Sequence, residues 1–100
     1  MTYIDIDKNK LKKMIKDKEE FILLDVRTKE EFKESKIEGA INIPLQDLLF
    51  NIDELEEYID KKIVVYCRSG KRSITACNLL NMEGFNELYN LDKGIIDYII

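Results

Sequence analysis

The sequence is marked first by what it lacks. Its 100 residues include no histidine, no tryptophan, one proline and two cysteines. Without histidine there is no Ser-His-Asp triad, no Cys-His pair and no metal motif that needs imidazole ligands. Two cysteines are too few for a four-thiolate zinc site or for a disulfide framework. We therefore predict no metal site and no dependence on disulfides.

A long apolar run is also missing. The longest has five residues, Ile63 to Cys67, whereas a membrane-spanning helix needs roughly 20. The first residues, Met1 to Asp5, are followed by acids and lysines and not by the apolar segment and cleavage site of a secretory signal. We expect a cytoplasmic protein with no membrane partner.

The chain contains few residues that would divide it. Four glycines, one proline and the lack of repeats or linker-like stretches favour one domain over residues 1–100. The composition, 45% hydrophobic and 36% charged, is typical of a globular protein. A chain of this length buries roughly 60–70% of its unfolded surface, so an ordinary apolar core is feasible.

The net charge is small but unevenly distributed along the chain. The net charge of −4 combines a 22-residue window from Lys61 to Met82, which has five cations and no acid, with a remainder of −9. An acidic chain without a broad basic face argues against a nucleic-acid partner. The cationic window instead predicts a local site for a small anion.

Two spacings of apolar residues alternate along the chain. Continuous apolar runs at 21–24 and 63–66 are typical of strands buried on both faces, and shorter strands are predicted at 4–6, 41–43 and 88–91. Helical patterns follow an N-cap at Asp7 and a capping box of Thr28 and Glu31, then cover 45–59 in one or two pieces, 73–82 and the tail 93–100. This alternation predicts an α/β fold with a central, mainly parallel sheet flanked by helices.

The strongest candidate site follows the strand at 63–66. Ligands of open parallel sheets bind beyond the carboxyl ends of the strands, and Cys67 stands at that position. The residues after it are Arg68, Ser69, Gly70, Lys71, Arg72 and Ser73. Loop amides, a helix N-terminus and three cations all favour an anionic sulfur, so we expect the pKa of Cys67 to be lowered.

The alternative interpretation of Cys67 is a small buried side chain at a strand end, since cysteine is among the most buried residue types. Three cations and a glycine within five residues favour the reactive thiolate instead. Cys77 follows ten residues later, inside the next predicted helix, and its spacing matches no redox motif. We expect it to pack in the core.

Three segments form a pattern in order along the chain: Leu24-Asp25-Val26-Arg27 with Glu30-Glu31-Phe32, then Ile37 to Pro44, and then Val64 to Ser73. Together they resemble the single-domain rhodanese family of thiosulfate-type sulfurtransferases. The resemblance implies a three-layer rhodanese-like domain with Cys67 as nucleophile and Arg68, Ser69, Gly70, Lys71, Arg72 and Ser73 as the substrate-binding loop. Ser35-Lys36-Ile37 departs from the family's Gly-His-Ile, and Asp92-Lys93-Gly94 keeps one glycine of a usual pair.

The resemblance implies sulfur transfer in two half-reactions. Cys67 takes the outer sulfur of an anionic donor such as thiosulfate and passes it to a thiol or to a protein acceptor, with no cofactor. Asp25 and Arg27 are then scaffold at the rim, because a carboxylate beside the thiolate would raise its pKa. We expect a monomer.

Two other functions remain open at this point. Phosphatases and arsenate reductases of the same fold have a Cys-x5-Arg loop, whereas Cys67 to Arg72 is Cys-x4-Arg and encloses a smaller ring. A rhodanese-like module that carries sulfur or docks a partner without turnover is the third possibility. The intact nucleophile and its cations argue against that possibility.

Overall fold

The computed structural model describes residues 2–100 and contains a single sheet of five strands. The strands are β1 (Ile4–Ile6), β2 (Ile22–Asp25), β3 (Ile41–Asn42), β4 (Ile63–Tyr66) and β5 (Leu88–Leu91). Their order is β1-β5-β4-β2-β3, and each neighbouring pair is parallel. The predicted α/β fold with a central parallel sheet is confirmed.

Helices cover both faces of this sheet. They are α1 (Lys8–Lys16), α2 (Lys29–Glu34), α3 (Lys71–Met82) and α4 (Gly94–Tyr98), together with 3-10 turns at Leu45–Asp47 and Leu49–Tyr58. One core cluster joins α3 and the 3-10 segment to the sheet through Ala76, Leu80 and Leu55. The other joins α1 and α4 through Leu11 and Ile95. The result is the predicted three-layer arrangement.

The starts of the first two helices follow from their capping residues. The Asp7 side chain accepts a hydrogen bond from the Lys10 amide, and Thr28 and Glu31 form a complete capping box. Each cap satisfies amide groups that have no partner within the helix. Both sequence predictions are confirmed.

The segment at 45–59 differs from its predicted helical form. It contains 3-10 turns that are interrupted at Asn51, whose φ of −120° and ψ of 20° are not helical. The Asn51 side chain donates a hydrogen bond to the Asp47 carbonyl, 2.8 Å away. A local side-chain bond of this kind competes with regular helix formation.

Other predicted boundaries shift by a few residues. Strand β2 begins after Phe21, β3 ends before Ile43, and α3 begins at Lys71 rather than Ser73. The tail helix covers only Gly94–Tyr98. Among residues 2–100, no helix has the length and apolar character needed to cross a membrane.

The order of the strands determines where the site forms. β4 is buried along its whole length and lies between β5 and β2. Asp25 at the end of β2 pairs in register with Tyr66 at the end of β4. The residues that follow these two strands therefore meet at the same edge of the sheet.

Candidate active site

Cys67 is surrounded by hydrogen-bond donors. It directly follows β4, and only 1% of its surface is exposed. Its Sγ accepts hydrogen bonds from the amides of Gly70, at 3.2 Å, and Ser73, at 3.4 Å. The Ser73 hydroxyl also lies 3.4 Å from Sγ. Residues 67–73, which we call the sulfur loop, thus curl around the thiol.

These donors control the acidity of the thiol. Burial raises the pKa of Cys67, but hydrogen bonds from the Ser73 hydroxyl and from the amides of Ser73, Gly70 and Ser69 outweigh burial and lower it below the ordinary value. The direction agrees with the sequence-based expectation. Its cause differs, because donors at hydrogen-bond distance stabilise the thiolate and the three nearby cations are not the main contributors.

The backbone of the sulfur loop depends on a left-handed residue. Gly70 has φ of +98° and immediately precedes α3. A glycine adopts this conformation without the steric penalty that a Cβ would bring. The turn directs the Gly70 amide toward Sγ and lets α3 begin beside the thiol, so that the helix N-terminus faces it.

Two glycines allow the sulfur loop to pack closely against the start of α4 and the residues just before it. A Cβ on Gly70 would overlap the carbonyl group of Asp92, and a Cβ on Gly94 would overlap the backbone of Arg68 and Ser69. Because glycine has no Cβ, the backbone at Asp92 can approach Gly70, and the backbone at Arg68 and Ser69 can approach Gly94. Neither contact leaves room for a larger residue.

Hydrogen bonds reinforce the same contact. The Ile95 amide donates to the Cys67 carbonyl at 2.9 Å, and the Ile96 amide donates to the Arg68 carbonyl at 3.1 Å. The first turn of α4 therefore uses amides that have no partner within the helix to hold the start of the sulfur loop. The position of Cys67 depends on this far segment as well as on β4.

The three loop cations are arranged unequally. Arg68 and Lys71 are exposed, and within residues 2–100 neither forms an ion pair. Arg72 donates two hydrogen bonds to Glu31, at 2.8 and 3.0 Å. Of the three cations that the sequence places near the thiol, Arg72 has its charge balanced by a carboxylate.

Comparison with known proteins agrees with this geometry. The family described as Rhodanese-like domain matches residues 7–99. The chain belongs to the rhodanese-like domain family. The family resemblance predicted from the sequence motifs is confirmed.

Individual relatives are similar over most of this rhodanese-like domain. A protein named sulfurtransferase from Allochromatium vinosum is 35% identical over 92 residues, which cover 92% of this chain and 84% of the relative. A tRNA uridine(34) hydroxylase from Acinetobacter baylyi is 36% identical over 86 residues, but the match spans 27% of that protein. The crystal structure of a rhodanese-related protein from Thermoplasma volcanium has a TM-score of 0.84 at 34% identity, covering 97% of this chain and 91% of that one.

The predicted rim residues of the rhodanese-like domain are buried together. Asp25 is fully buried and Arg27 is 4% exposed. The Arg27 guanidinium donates to both Asp25 carboxylate oxygens and, at 2.6 Å, to the Ser35 carbonyl. The Asn42 side-chain amide donates to the backbone carbonyls of Asp25 and Arg27, each at 3.0 Å. These bonds tie β2 to two neighbouring segments, which supports a scaffold role.

The segment that lacks the family's histidine is held by other groups. The Ile37 amide donates to the Tyr66 hydroxyl at 3.1 Å. The Arg27 guanidinium also lies 5.6 Å from the centre of the Tyr66 ring, within the range of a cation–π contact. Tyr66 and Arg27 thus fix residues 35–37 without an imidazole.

Cys77 lies within α3 and packs in the apolar core. It is fully buried in the cluster that contains Ala76 and Leu80. Burial, with a smaller contribution from the charge of Asp5, raises the pKa of Cys77 to about 12. Both cysteines are free thiols. The location agrees with the expectation of a packing role.

Two residues at the site were not foreseen. The sequence pointed to Glu31 as a cap and as part of a family segment, but not to its pairing with Arg72, which lies 41 positions away. Gly94 was noted only as a remaining family glycine. Gly94 is kept although the segment around it departs from the family pattern. This was the one sign in the sequence that another backbone segment approaches closely at Gly94.

Proposed function

We propose that this protein is a sulfurtransferase that carries a sulfane sulfur on Cys67. The observation that supports the proposal most is the convergence of the Gly70 amide, the Ser73 amide and the Ser73 hydroxyl on the Cys67 Sγ, which lowers the pKa of the thiol. A lowered pKa increases the fraction of thiolate, the form that attacks a sulfane sulfur. No histidine is needed to remove the thiol proton.

In the first half-reaction, the Cys67 thiolate attacks the outer sulfur of thiosulfate. A bond forms between the two sulfurs, the sulfur–sulfur bond of thiosulfate breaks, and its electron pair leaves with sulfite. The product is a Cys67 persulfide anion. The amides of Gly70 and Ser73, which now donate to Sγ, are available to stabilise this anion.

In the second half-reaction, the thiolate of an acceptor attacks the outer sulfur of the persulfide. The Cys67 thiolate is the leaving group, and the acceptor departs as a persulfide, so charge and atoms balance. We propose a small thiol or a protein thiol as the acceptor. Transfer through a covalent intermediate predicts ping-pong kinetics.

The exposed cations attract the donor. Arg68 and Lys71 are exposed at the sulfur loop, and a dianion such as thiosulfate is drawn to two positive charges. Because only 1% of Cys67 is exposed, the donor reaches Sγ through a local opening of the loop.

Intact mass spectrometry tests the proposal. Incubation with thiosulfate should add one sulfur atom to the protein, and the adduct should disappear on treatment with cyanide or a thiol. The Cys67→Ser variant should gain nothing, whereas Cys77→Ala should gain the same single sulfur. Failure of wild-type protein to form an adduct with any sulfane donor would refute the proposal.

A further inference from the structure

The pair of Glu31 and Arg72 alters the charge available to a donor. Arg72 belongs to the sulfur loop, and its guanidinium faces the carboxylate of Glu31 through two parallel hydrogen bonds. Such bidentate pairs are directional as well as electrostatic. The positive charge that the sequence places in the loop is therefore balanced by a residue of α2.

Glu31 is fixed by a second set of contacts. Its Oε1 accepts hydrogen bonds from the Thr28 amide, at 3.1 Å, and hydroxyl, at 3.2 Å. The carboxylate that caps α2 is thus the same group that holds Arg72. The hydrogen bonds from Arg72, the largest influence, help keep the pKa of Glu31 at about 2, so the carboxylate is ionised at neutral pH.

The surrounding groups do not replace the lost positive charge. The cleft beside α4 is lined by Arg68 and Arg27 but also by Glu31 and Glu34. Arg27 is itself paired with Asp25. A donor that approaches the sulfur loop therefore meets the unpaired charges of Arg68 and Lys71, with carboxylates on the same rim.

We propose that Glu31 determines donor specificity by neutralising Arg72, so that the site discriminates less strongly in favour of dianionic donors than its sequence implies. The inference rests on the proposed sulfur transfer. When one positive charge is masked, the electrostatic attraction of the site for a monoanionic sulfane donor falls little. The attraction for a dianion of the same shape falls more. The carboxylate of Glu31 is then a specificity-determining group outside the sulfur loop.

Two donors of similar shape isolate this effect. Thiosulfate carries two negative charges, and methanethiosulfonate, in which a methyl group replaces one oxygen, carries one. Attack of the Cys67 thiolate on the latter forms the same persulfide and releases methanesulfinate with the bonding electron pair. In ping-pong kinetics kcat/KM for the donor reports this half-reaction alone, so the ratio of kcat/KM for thiosulfate to that for methanethiosulfonate measures charge preference.

The decisive variant is Glu31→Gln, because glutamine can still complete the capping box while losing the charge. We expect the donor ratio to rise about fivefold, as one charge near the surface becomes available. High ionic strength should remove most of this gain. The matched control is Glu30→Gln, which removes the same charge from the neighbouring position of α2 and should change the ratio less than about twofold.

A double-mutant cycle separates charge masking from a purely structural role. Arg72→Gln should lower the donor ratio, because Glu31 is then unpaired, and Glu31→Gln combined with Arg72→Gln should return it to the wild-type value. If Glu31 were only structural and Arg72 bound the donor directly, the double variant would keep the low ratio of Arg72→Gln. This comparison remains decisive even if Glu31→Gln alone does not fold.

The outcomes distinguish this inference from the proposed function. A wild-type protein that forms the persulfide, combined with equal donor ratios in wild type and Glu31→Gln, would overturn the role of Glu31 alone. A double variant that retains the low ratio of Arg72→Gln would do the same. A wild-type protein that accepts sulfur from neither donor would overturn sulfur transfer itself, and the inference with it.

Discussion

The two cysteines of this chain are both buried, but their pKa values are shifted in opposite directions. Cys67 is 1% exposed and Cys77 is fully buried. The pKa of Cys67 is below its ordinary value, whereas that of Cys77 is raised to about 12. In both residues burial acts in the same direction, against the charged thiolate.

The difference lies in the groups that point at the sulfur. The Cys67 Sγ accepts from two amides and lies beside a hydroxyl. The Cys77 Sγ instead lies 3.9 Å from the Tyr89 carbonyl, an acceptor that favours the protonated thiol. The direction in which the pKa of each thiol is shifted therefore depends on the groups that face its sulfur and not on exposure of the sulfur.

The largest expected effect is a difference in alkylation of the two thiols. In native protein at neutral pH, iodoacetamide should modify Cys67 at least about 100-fold faster than Cys77, because the thiolate is the nucleophile. Opening a loop also costs less than opening a packed helix. Peptide mapping by mass spectrometry measures both rates.

The matched variants are Cys67→Ser, which should remain unlabelled while folded, and Cys77→Ala, which should be labelled as fast as wild type. We expect Cys77→Ala to lose about 1 kcal/mol of stability through the vacated core volume. Equal labelling rates for the two thiols of native wild-type protein would contradict the claim that the sulfur loop makes Cys67 more reactive than Cys77.

A smaller but still large effect is expected at Gly94. In Gly94→Ala the new Cβ overlaps the backbone of Arg68, so the sulfur loop must move and its donors no longer converge on Cys67. We expect about a 100-fold loss of sulfur transfer, comparable to removal of an oxyanion-hole donor. Steady-state kinetics with thiosulfate and the rate of Cys67 alkylation check this.

Gly39→Ala is the control for backbone strain alone. Gly39 also has a positive φ, +88°, but an added Cβ there meets nothing within 4 Å. We expect it to lose about 1 kcal/mol of stability and to keep its transfer rate. Equal losses of activity in the two variants would show that the contact between Gly94 and the sulfur loop is unimportant.

The smallest expected effect is at Ser73, whose hydroxyl helps to lower the pKa of Cys67. Ser73→Ala removes the hydroxyl beside Sγ but keeps the backbone amide, so the pKa of Cys67 should rise and the pH profile of persulfide formation should move to more alkaline pH. We expect roughly a tenfold lower rate at neutral pH, since hydrogen bonds to charged groups are stronger than neutral ones. Stopped-flow measurements across pH follow the shift.

Cys77 serves as an internal reference for Ser73→Ala, because, of the two cysteines, the removed hydroxyl faces Cys67. The rate at which iodoacetamide alkylates Cys77 at neutral pH should be the same in Ser73→Ala as in wild type. An unchanged pH profile for Cys67 would mean that the amides of the sulfur loop alone set its acidity.

Much of the fold could be predicted from the sequence because its signals are local. The apolar run at Ile63–Tyr66 is one example, since four adjacent apolar residues are best accommodated in a strand buried on both faces. The capping box of Thr28 and Glu31 is another. The segment around Asn51 escaped prediction because a helical spacing of apolar residues does not distinguish 3-10 turns from an α-helix.

The site was predictable where its residues are contiguous. Cys67, Gly70 and Ser73 form one short segment, and their convergence follows from a turn between a strand and a helix. The pairing of Arg72 with Glu31 and the contact of Gly94 with the sulfur loop join distant segments. Such contacts depend on how the sheet orders its strands, which apolar spacing does not encode.

The two reciprocal glycine contacts have a consequence for synthesis. A growing chain emerges with Cys67 and the whole sulfur loop well before Asp92 and Gly94 are added. Until those later residues dock, the hydrogen bonds from the amides of Ile95 and Ile96 to the carbonyls of Cys67 and Arg68 are missing. The backbone contacts that position the sulfur loop are therefore complete only after β5 and the start of α4 have been synthesised.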